Sequence, residues 1–221
     1  MTAPLLELNV RGLTHQGTPV LRDVSLRLNR GETLALVGQS GIGKSSLLRV
    51  IAGIDTGQDA TCAVRGTCAM VFQEPTLLPW RSVADNIRVT TGAPLADIDA
   101  ALRDVGLGGR GADYPGQLSL GQQRRLSLAR AFAVKPDLLL LDEPFVSLDP
   151  DLAHEMMALF ARLRAQHDIA TILVTHVAEE AEKLASRIVT LGGSPATITG
   201  DVQNDGAYFQ SSASGVTSSR S

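Results

Sequence analysis

Aromatic side chains are scarce in this chain: five Phe, two Tyr and one Trp among 221 residues, with none in residues 1–71. Leu, Val, Ile and Ala must therefore pack the core, as they do in layered strands and helices. Cysteine is nearly absent. Cys62 and Cys68 are the only two, and the four histidines (15, 154, 167 and 176) all lie far from them in sequence. The pair reads as free thiols in a reducing compartment rather than as part of a metal site. There is no basic excess either, and a formal net charge of −3 argues against a nucleic-acid partner. No apolar run approaches the roughly 18 residues needed to cross a bilayer. Residues 1–8 carry no basic segment ahead of an apolar one, so a secretory signal is not expected. Any link to a membrane is expected to pass through a partner.

Lysine is rare as well, present only at 44, 135 and 183, and Lys44 stands in the most informative segment of the chain. Gly38, Gln39, Ser40, Gly41, Ile42, Gly43, Lys44 and Ser45 fit the phosphate-loop pattern of two glycines bracketing four residues, then lysine and a hydroxyl. The apolar run Thr33–Val37 before it reads as a buried strand, and 46–54 after it as a helix. In that setting backbone N–H groups turn inward and the helix start adds partial positive charge, which suits a nucleoside triphosphate. The pattern places Lys44 on the β- and γ-phosphates and Ser45 on Mg²⁺, and Ser46 at the helix start joins the nucleotide contacts.

Along the chain, 5–10 and 20–28 read as strands joined by a polar, glycine-containing turn. Only 28 residues separate Lys44 from Gln73; they hold one helix and a Thr/Val/Cys-rich stretch, 60–72, of strand propensity. Helical spacing then runs through 82–90, 94–105 and 119–134, with Ser82 and Ser119 as N-caps and Gly106 and Pro136 as stops. Residues 74–135 read as a helical insertion in an α/β domain. Beyond it come a buried strand at 138–141, a helix at 151–166, a buried strand at 169–175, a helix at 177–185 and a last short strand at 187–191. This order predicts a mostly parallel central sheet with an N-terminal antiparallel part. The domain is expected to span 1–203, with a disordered Ser/Gly-rich tail at 204–221. No internal repeat is visible.

Chemistry gathers at strand ends. Leu138-Leu-Leu-Leu-Asp142-Glu143 is an apolar strand finishing in two acids. Asp142 is expected to face the phosphate loop and hold Mg²⁺ through water, and Glu143 to polarise an attacking water. His176 follows another apolar strand and emerges at the same kind of end, where open α/β sheets bind ligands. Leu118-Ser119-Leu120-Gly121-Gln122 opens a helix with a second cluster of N–H groups, a second anion site in the same chain.

In this order the elements resemble the nucleotide-binding subunit of ATP-binding cassette (ABC) transporters, over roughly residues 5–200. The resemblance makes Gly38–Ser45 the Walker A loop, Gln73 the Q-loop, 118–122 the signature, 138–143 Walker B, Ser147-Leu148-Asp149 the D-loop and His176 the switch histidine. It implies a P-loop NTPase fold of ABC type that hydrolyses ATP with Mg²⁺, the ion being held by Ser45, Gln73 and Asp142. Glu143 would be the general base, with His176, Lys44 and Gln73 completing the catalytic set. It also implies a head-to-tail homodimer, or pairing with a second ABC subunit. ATP on one Walker A loop would be capped by Ser119, Gly121 and Gln122 of the other copy, with Asp149 at the junction. An integral membrane permease and a periplasmic or surface solute-binding protein complete the expected system.

Two departures from the family pattern bear on function. The signature usually reads Leu-Ser-Gly-Gly-Gln, and here Leu120 takes the third place. A positive φ there would cost leucine about 1–3 kcal/mol, whereas a helical residue would keep its N–H available; the helix start favours the second. The aromatic that usually stacks on adenine is missing, and its position falls on His15, whose smaller ring should discriminate adenine less well. Phe72-Gln-Glu-Pro75 followed by Leu77-Leu-Pro-Trp80, with Leu141-Asp-Glu-Pro-Phe145, resembles the nitrate, sulfonate and taurine-type importer ATPases. Trp80 is read either as core or as part of a groove for a permease helix. Export or lipid traffic, a soluble ABC protein and a non-hydrolysing regulatory module are the competing readings.

Overall fold

The computed structural model describes residues 3–55 and 59–205. β1 (Leu6–His15) and β2 (Thr18–Leu28) form an antiparallel hairpin, with Gln16 and Gly17 at its turn both at positive φ (50° and 80°). Two such residues give a turn whose twist matches the flanking strands. Then follow β3 (Thr33–Val37), α1 (Lys44–Ile51), β4 (Asp59–Val64) and β5 (Cys68–Val71). Three helices, α2 (Val83–Thr91), α3 (Leu95–Asp104) and α4 (Leu120–Ala133), precede β6 (Leu138–Asp142). The chain ends its described part with α5 (Pro150–Ala165), β7 (Ala170–Thr175), α6 (Ala178–Leu184), β8 (Arg187–Gly193) and β9 (Ala196–Gln203).

The described strands form one sheet in the order β4-β1-β2-β9-β8-β3-β7-β6-β5. From β8 to β5 all pairings are parallel, and the β4-β1-β2 end is antiparallel. β6 shows why its sequence is a continuous leucine run. Leu138 and Leu140 pack with Leu47, Leu48 and Ile51 of α1 on one face. Leu139 and Leu141 pack with Phe132 of α4 and Phe160 of α5 on the other. Successive side chains point to opposite faces, so a strand covered on both sides must be apolar throughout. Ser82 and Ser119 cap α2 and α4 as expected, each accepting a backbone N–H three residues on.

Two expectations need correction. The stretch 60–72 is not one strand region but two strands at opposite edges of the sheet: β4 pairs with β1 and β5 with β6. The break falls at Gly66, whose φ of 149° and close approach to Asp137 leave no room for a side chain, a Cβ there meeting Asp137 Oδ2 at 2.3 Å. Asp137 fixes the corner by accepting hydrogen bonds from Thr67 N–H, the Thr67 hydroxyl and Arg30. The Arg30 bond and the Thr67 N–H hold its carboxyl below the usual carboxylate range. The strand at Arg187–Gly193 is also not the last. β9 folds back antiparallel on it, anchored by Arg187, which donates to both oxygens of Asp201 and to Glu32. Asn204, placed in the tail from sequence, donates to the carbonyls of Glu182 and Ala185 at the end of α6. The rest of that expected tail, 206–221, lies outside the described residues.

Candidate functional site

The carboxyl ends of β3, β5, β6 and β7 lie side by side, so the residues that follow them converge. Gly38 to Gly43 leave β3 and enter α1, whose first turn carries no acidic residue and whose N-cap, Gly43, offers no side-chain cap. The helix start is thus left open to an anion. Gly43 lies at φ 110° above β2, where a Cβ would come within 2.8 Å of Val20 Cγ1 and Leu21 Cδ2. Only glycine lets the loop sit this low. Lys44 is 4% exposed, and its ammonium donates to the carbonyls of Gly38 (2.9 Å) and Gln39 (3.0 Å). An open cleft of about 220 Å³ lies against it, lined by Ser40, Gly41, Gly43, Lys44, Ser45, Ser46, Gln73 and Glu143.

The acids stand where the leucine strand ends. Ser45 Oγ donates to Asp142 Oδ1 at 2.8 Å. Burial pushes the Asp142 carboxyl up from its ordinary value, and the Ser45 hydrogen bond pulls it partly back. A hydroxyl beside a partly desolvated carboxylate, with the Gln73 side chain on the same cleft, is an all-oxygen donor set suited to a hard divalent cation such as Mg²⁺. Glu143 has φ 47° and sits between two partners: its Oε1 is 3.7 Å from Lys44 Nζ and 3.3 Å from His176 Nδ1.

The structure therefore brings together Gly38, Gln39, Ser40, Gly41, Ile42, Gly43, Lys44, Ser45, Ser46, Gln73, Asp142, Glu143 and His176. The second cluster forms no part of the cleft wall. Ser119 caps α4, and Gln122 Oε1 accepts from Ser119 N–H (3.0 Å) and Arg110 (2.8 Å). Leu120 is the first residue of α4, is not among the positive-φ residues, and is half exposed, so the helical alternative holds. Gly121 is buried because Leu152 of α5 presses on it, a Cβ meeting Leu152 Cδ1 at 3.0 Å. Asp149 caps α5, accepting Leu152 N–H at 3.0 Å. His15 closes the β1–β2 hairpin opposite Thr18, on the strand pair that continues to Val20 beneath Gly43.

One set of residues escaped the sequence reading. Arg124, Ser127 and Arg130 form a stripe along α4 that grips the segment after Gln73 by its carbonyls. Arg124 donates to the carbonyls of Gln73 and Pro144, Ser127 to that of Pro75, and Arg130 to those of Pro75 and Thr76. Arg124 is only 7% exposed, and burial lowers its pKa against the pull of Glu74. A polar residue every third position on a Leu/Ala-rich helix was the available signal. Replacing Arg124 by Leu leaves the carbonyls of Gln73, Pro144 and, at 3.5 Å, Val146 without this donor, which should cost about 1–3 kcal/mol. Chymotryptic cleavage at Phe72 and Trp80 is expected to accelerate in Arg124→Leu beyond the loss measured by urea denaturation, and unchanged cleavage would contradict the grip.

Residues 21–146 match the family described as ABC transporter. The chain is 44% identical over 197 residues to the aliphatic sulfonates import ATP-binding protein SsuB 2 of Xanthomonas axonopodis pv. citri, covering 84% of this chain and 68% of that one. It is 41% identical over 195 residues to SsuB 1 of Rhodococcus jostii, covering 85% and 80%. Among solved structures it resembles the dimeric post-hydrolysis state of the ATP-binding cassette MJ0796 bound to ADP and Pi. That likeness has a TM-score of 0.79 at 25% identity and covers 91% of this chain and 99% of that one. With the match spanning more than half of its length, the chain belongs to the ABC transporter family.

Proposed function

We propose that the chain is the ATP-hydrolysing subunit of an importer for a small sulfonate-like solute, working as a head-to-tail pair beneath a membrane permease. The observation that carries this reading is the convergence at three adjacent strand ends: Lys44 in the glycine loop, Ser45 on Asp142, and Glu143 between Lys44 and His176. ATP places its phosphates along the loop from Gly38 to Ser46, where Lys44 trades its carbonyl contacts and Glu143 for phosphate oxygens. Mg²⁺, when bound, would neutralise phosphate charge, and Ser45, Asp142 and Gln73 are the side chains that would hold it. Released from Lys44, Glu143 accepts the proton of the attacking water. His176, hydrogen-bonded to Glu143, orients that carboxylate and reaches toward the γ-phosphate.

A second copy completes the site. Its Ser119, Gly121 and Gln122 form the capped tip of α4, and its Asp149 caps α5, whose Leu152 packs on Gly121. The dimeric, nucleotide-bound relative supports this pairing. No described helix is long and apolar enough to cross a membrane. In this reading, drawn from the relatives named for import, the permease holds the chain at the cytoplasmic face of the inner membrane. The docking face is the surface around Trp80, 70% exposed and hence not a core residue. A groove of about 490 Å³ lined by Ile54, Ala69, Met70, Phe72, Thr76 and Arg130, at the start of the segment that leads to Trp80, suits a short apolar helix. The sulfonate-like solute and its binding protein are proposed from the relatives named for sulfonate import.

Glu143→Gln keeps the shape of the site and removes the base. ATP binding should persist while turnover falls by about 10²–10⁴-fold, measured by phosphate release; near wild-type hydrolysis would sink the assignment. His15, in place of a stacking aromatic, should make the site tolerant of the base. Titration is expected to show ATP and GTP binding within about tenfold of each other, the span of roughly 1.4 kcal/mol. A strong ATP preference that survives His15→Ala would rule this out.

A further inference from the structure

His176 is 45% exposed at its side chain, so packing does little to aim its ring. Its direction must come from the backbone on either side, and one buried hydroxyl ties both sides together. Thr175, fully buried at the end of β7, donates its hydroxyl proton to Glu180 Oε2. The Thr175 hydroxyl oxygen in turn accepts the N–H of Val177 at 3.0 Å. A hydroxyl has one proton to give and lone pairs to spare. With the proton committed to Glu180, the lone pairs are left facing Val177. The residue before the histidine and the residue after it are thereby locked to one atom.

Glu180 is an unusual occupant for its position. It lies in the first turn of the seven-residue α6 and is 5% exposed, where an apolar residue would pack without cost. An acid at this helix position ordinarily reaches back to the N-cap N–H. Here the N-cap is Val177, and the acid reaches it only through the Thr175 hydroxyl. Burial raises the Glu180 carboxyl above its ordinary value, while the Thr175 bond and nearby His176 lower it. A partly desolvated acid is thus retained one hydroxyl away from the histidine loop.

We propose that Glu180 is a positioning residue for hydrolysis: through Thr175 it fixes the backbone on both sides of His176 and so sets where the imidazole stands against Glu143. This rests on the roles given above to His176 and Glu143. Glu180 acts at one remove, so its loss should lower kcat and leave nucleotide affinity alone.

The test uses the full chain with four substitutions: Thr175→Val, Glu180→Leu, and the conservative Thr175→Ser and Glu180→Gln. ATP affinity, kcat and the ring ¹H–¹³C signals of His15, His154, His167 and His176 are read for each, the last assigned by its loss in His176→Ala. Misplacing a group that contacts the reaction by about 1 Å costs up to roughly 10²-fold. On that scale Thr175→Val and Glu180→Leu are expected to lower kcat by about tenfold or more. In both, ATP affinity should hold and only the His176 signal should move. Thr175→Ser keeps the donor and Glu180→Gln keeps an amide oxygen as acceptor, so both should restore kcat and signal. A kcat that falls only in step with the folded fraction, with the His176 signal unmoved, would make Glu180 a helix cap and overturn the proposal. Should either disruptive variant fail to fold, the other decides; should both, an unshifted His176 signal in Glu180→Gln together with lowered kcat would refute it, and restored kcat would support it. If the wild-type chain hydrolyses nothing, the reading of Glu143 fails, yet the ring signals still show whether Thr175 and Glu180 hold the histidine.

Discussion

The structure is organised around one buried cation. The Lys44 ammonium is almost fully enclosed, held by two loop carbonyls and facing Glu143. Desolvating a charge is costly unless it is paired. Here the pairing is with neutral carbonyls and one carboxylate at 3.7 Å, all of which a polyphosphate could replace with denser negative charge. Everything around the lysine serves that exchange. Glycine at 43 lets the loop settle on β2, the open end of α1 adds partial positive charge, and the leucine-rich β6 carries Asp142 and Glu143 to the same level.

Helix α4 links this centre to the surface. Its tip carries Ser119 and the exposed Leu120, and its flank holds Gln73, Pro75 and Thr76 through Arg124, Ser127 and Arg130. A shift of Gln73 in the cleft must therefore either carry α4 with it or break several hydrogen bonds to carbonyls. The exposed Trp80 lies farther along the same segment, and the groove beside Arg130 is walled by Phe72 and Thr76 near its start. Through Arg124 and Arg130, α4 thus ties Gln73 on the cleft wall to the groove and to its own tip, the two faces proposed above for a permease and a second copy.

Much of this was legible in the sequence because it depends on local pattern. β3, β6 and β7 are short apolar runs because both faces of the sheet are covered, and Ser82 and Ser119 announce helix starts by their own chemistry. The phosphate loop needed only its spacing. What stayed hidden depends on partners distant in sequence. The break at Gly66 is set by Asp137, far along the chain, and β9 exists because β8 offers it an edge. The α4 stripe shows its purpose only when the carbonyls of Gln73–Thr76 lie across it. Glu180 looks like an ordinary helix-start acid until Thr175 is seen to carry its contact past His176.

The central claim is that a triphosphate is held between the glycine loop of one copy and the α4 tip of another. Mixing two inactive variants, Lys44→Ala and Ser119→Arg, tests this directly. Each alone should hydrolyse little, because every site then lacks either its lysine or its cap. In a mixed pair one site keeps both, so phosphate release from an equal mixture should recover a substantial fraction of wild-type activity. A mixture as inactive as its components would mean that loop and tip do not meet across two copies, and the account would be wrong.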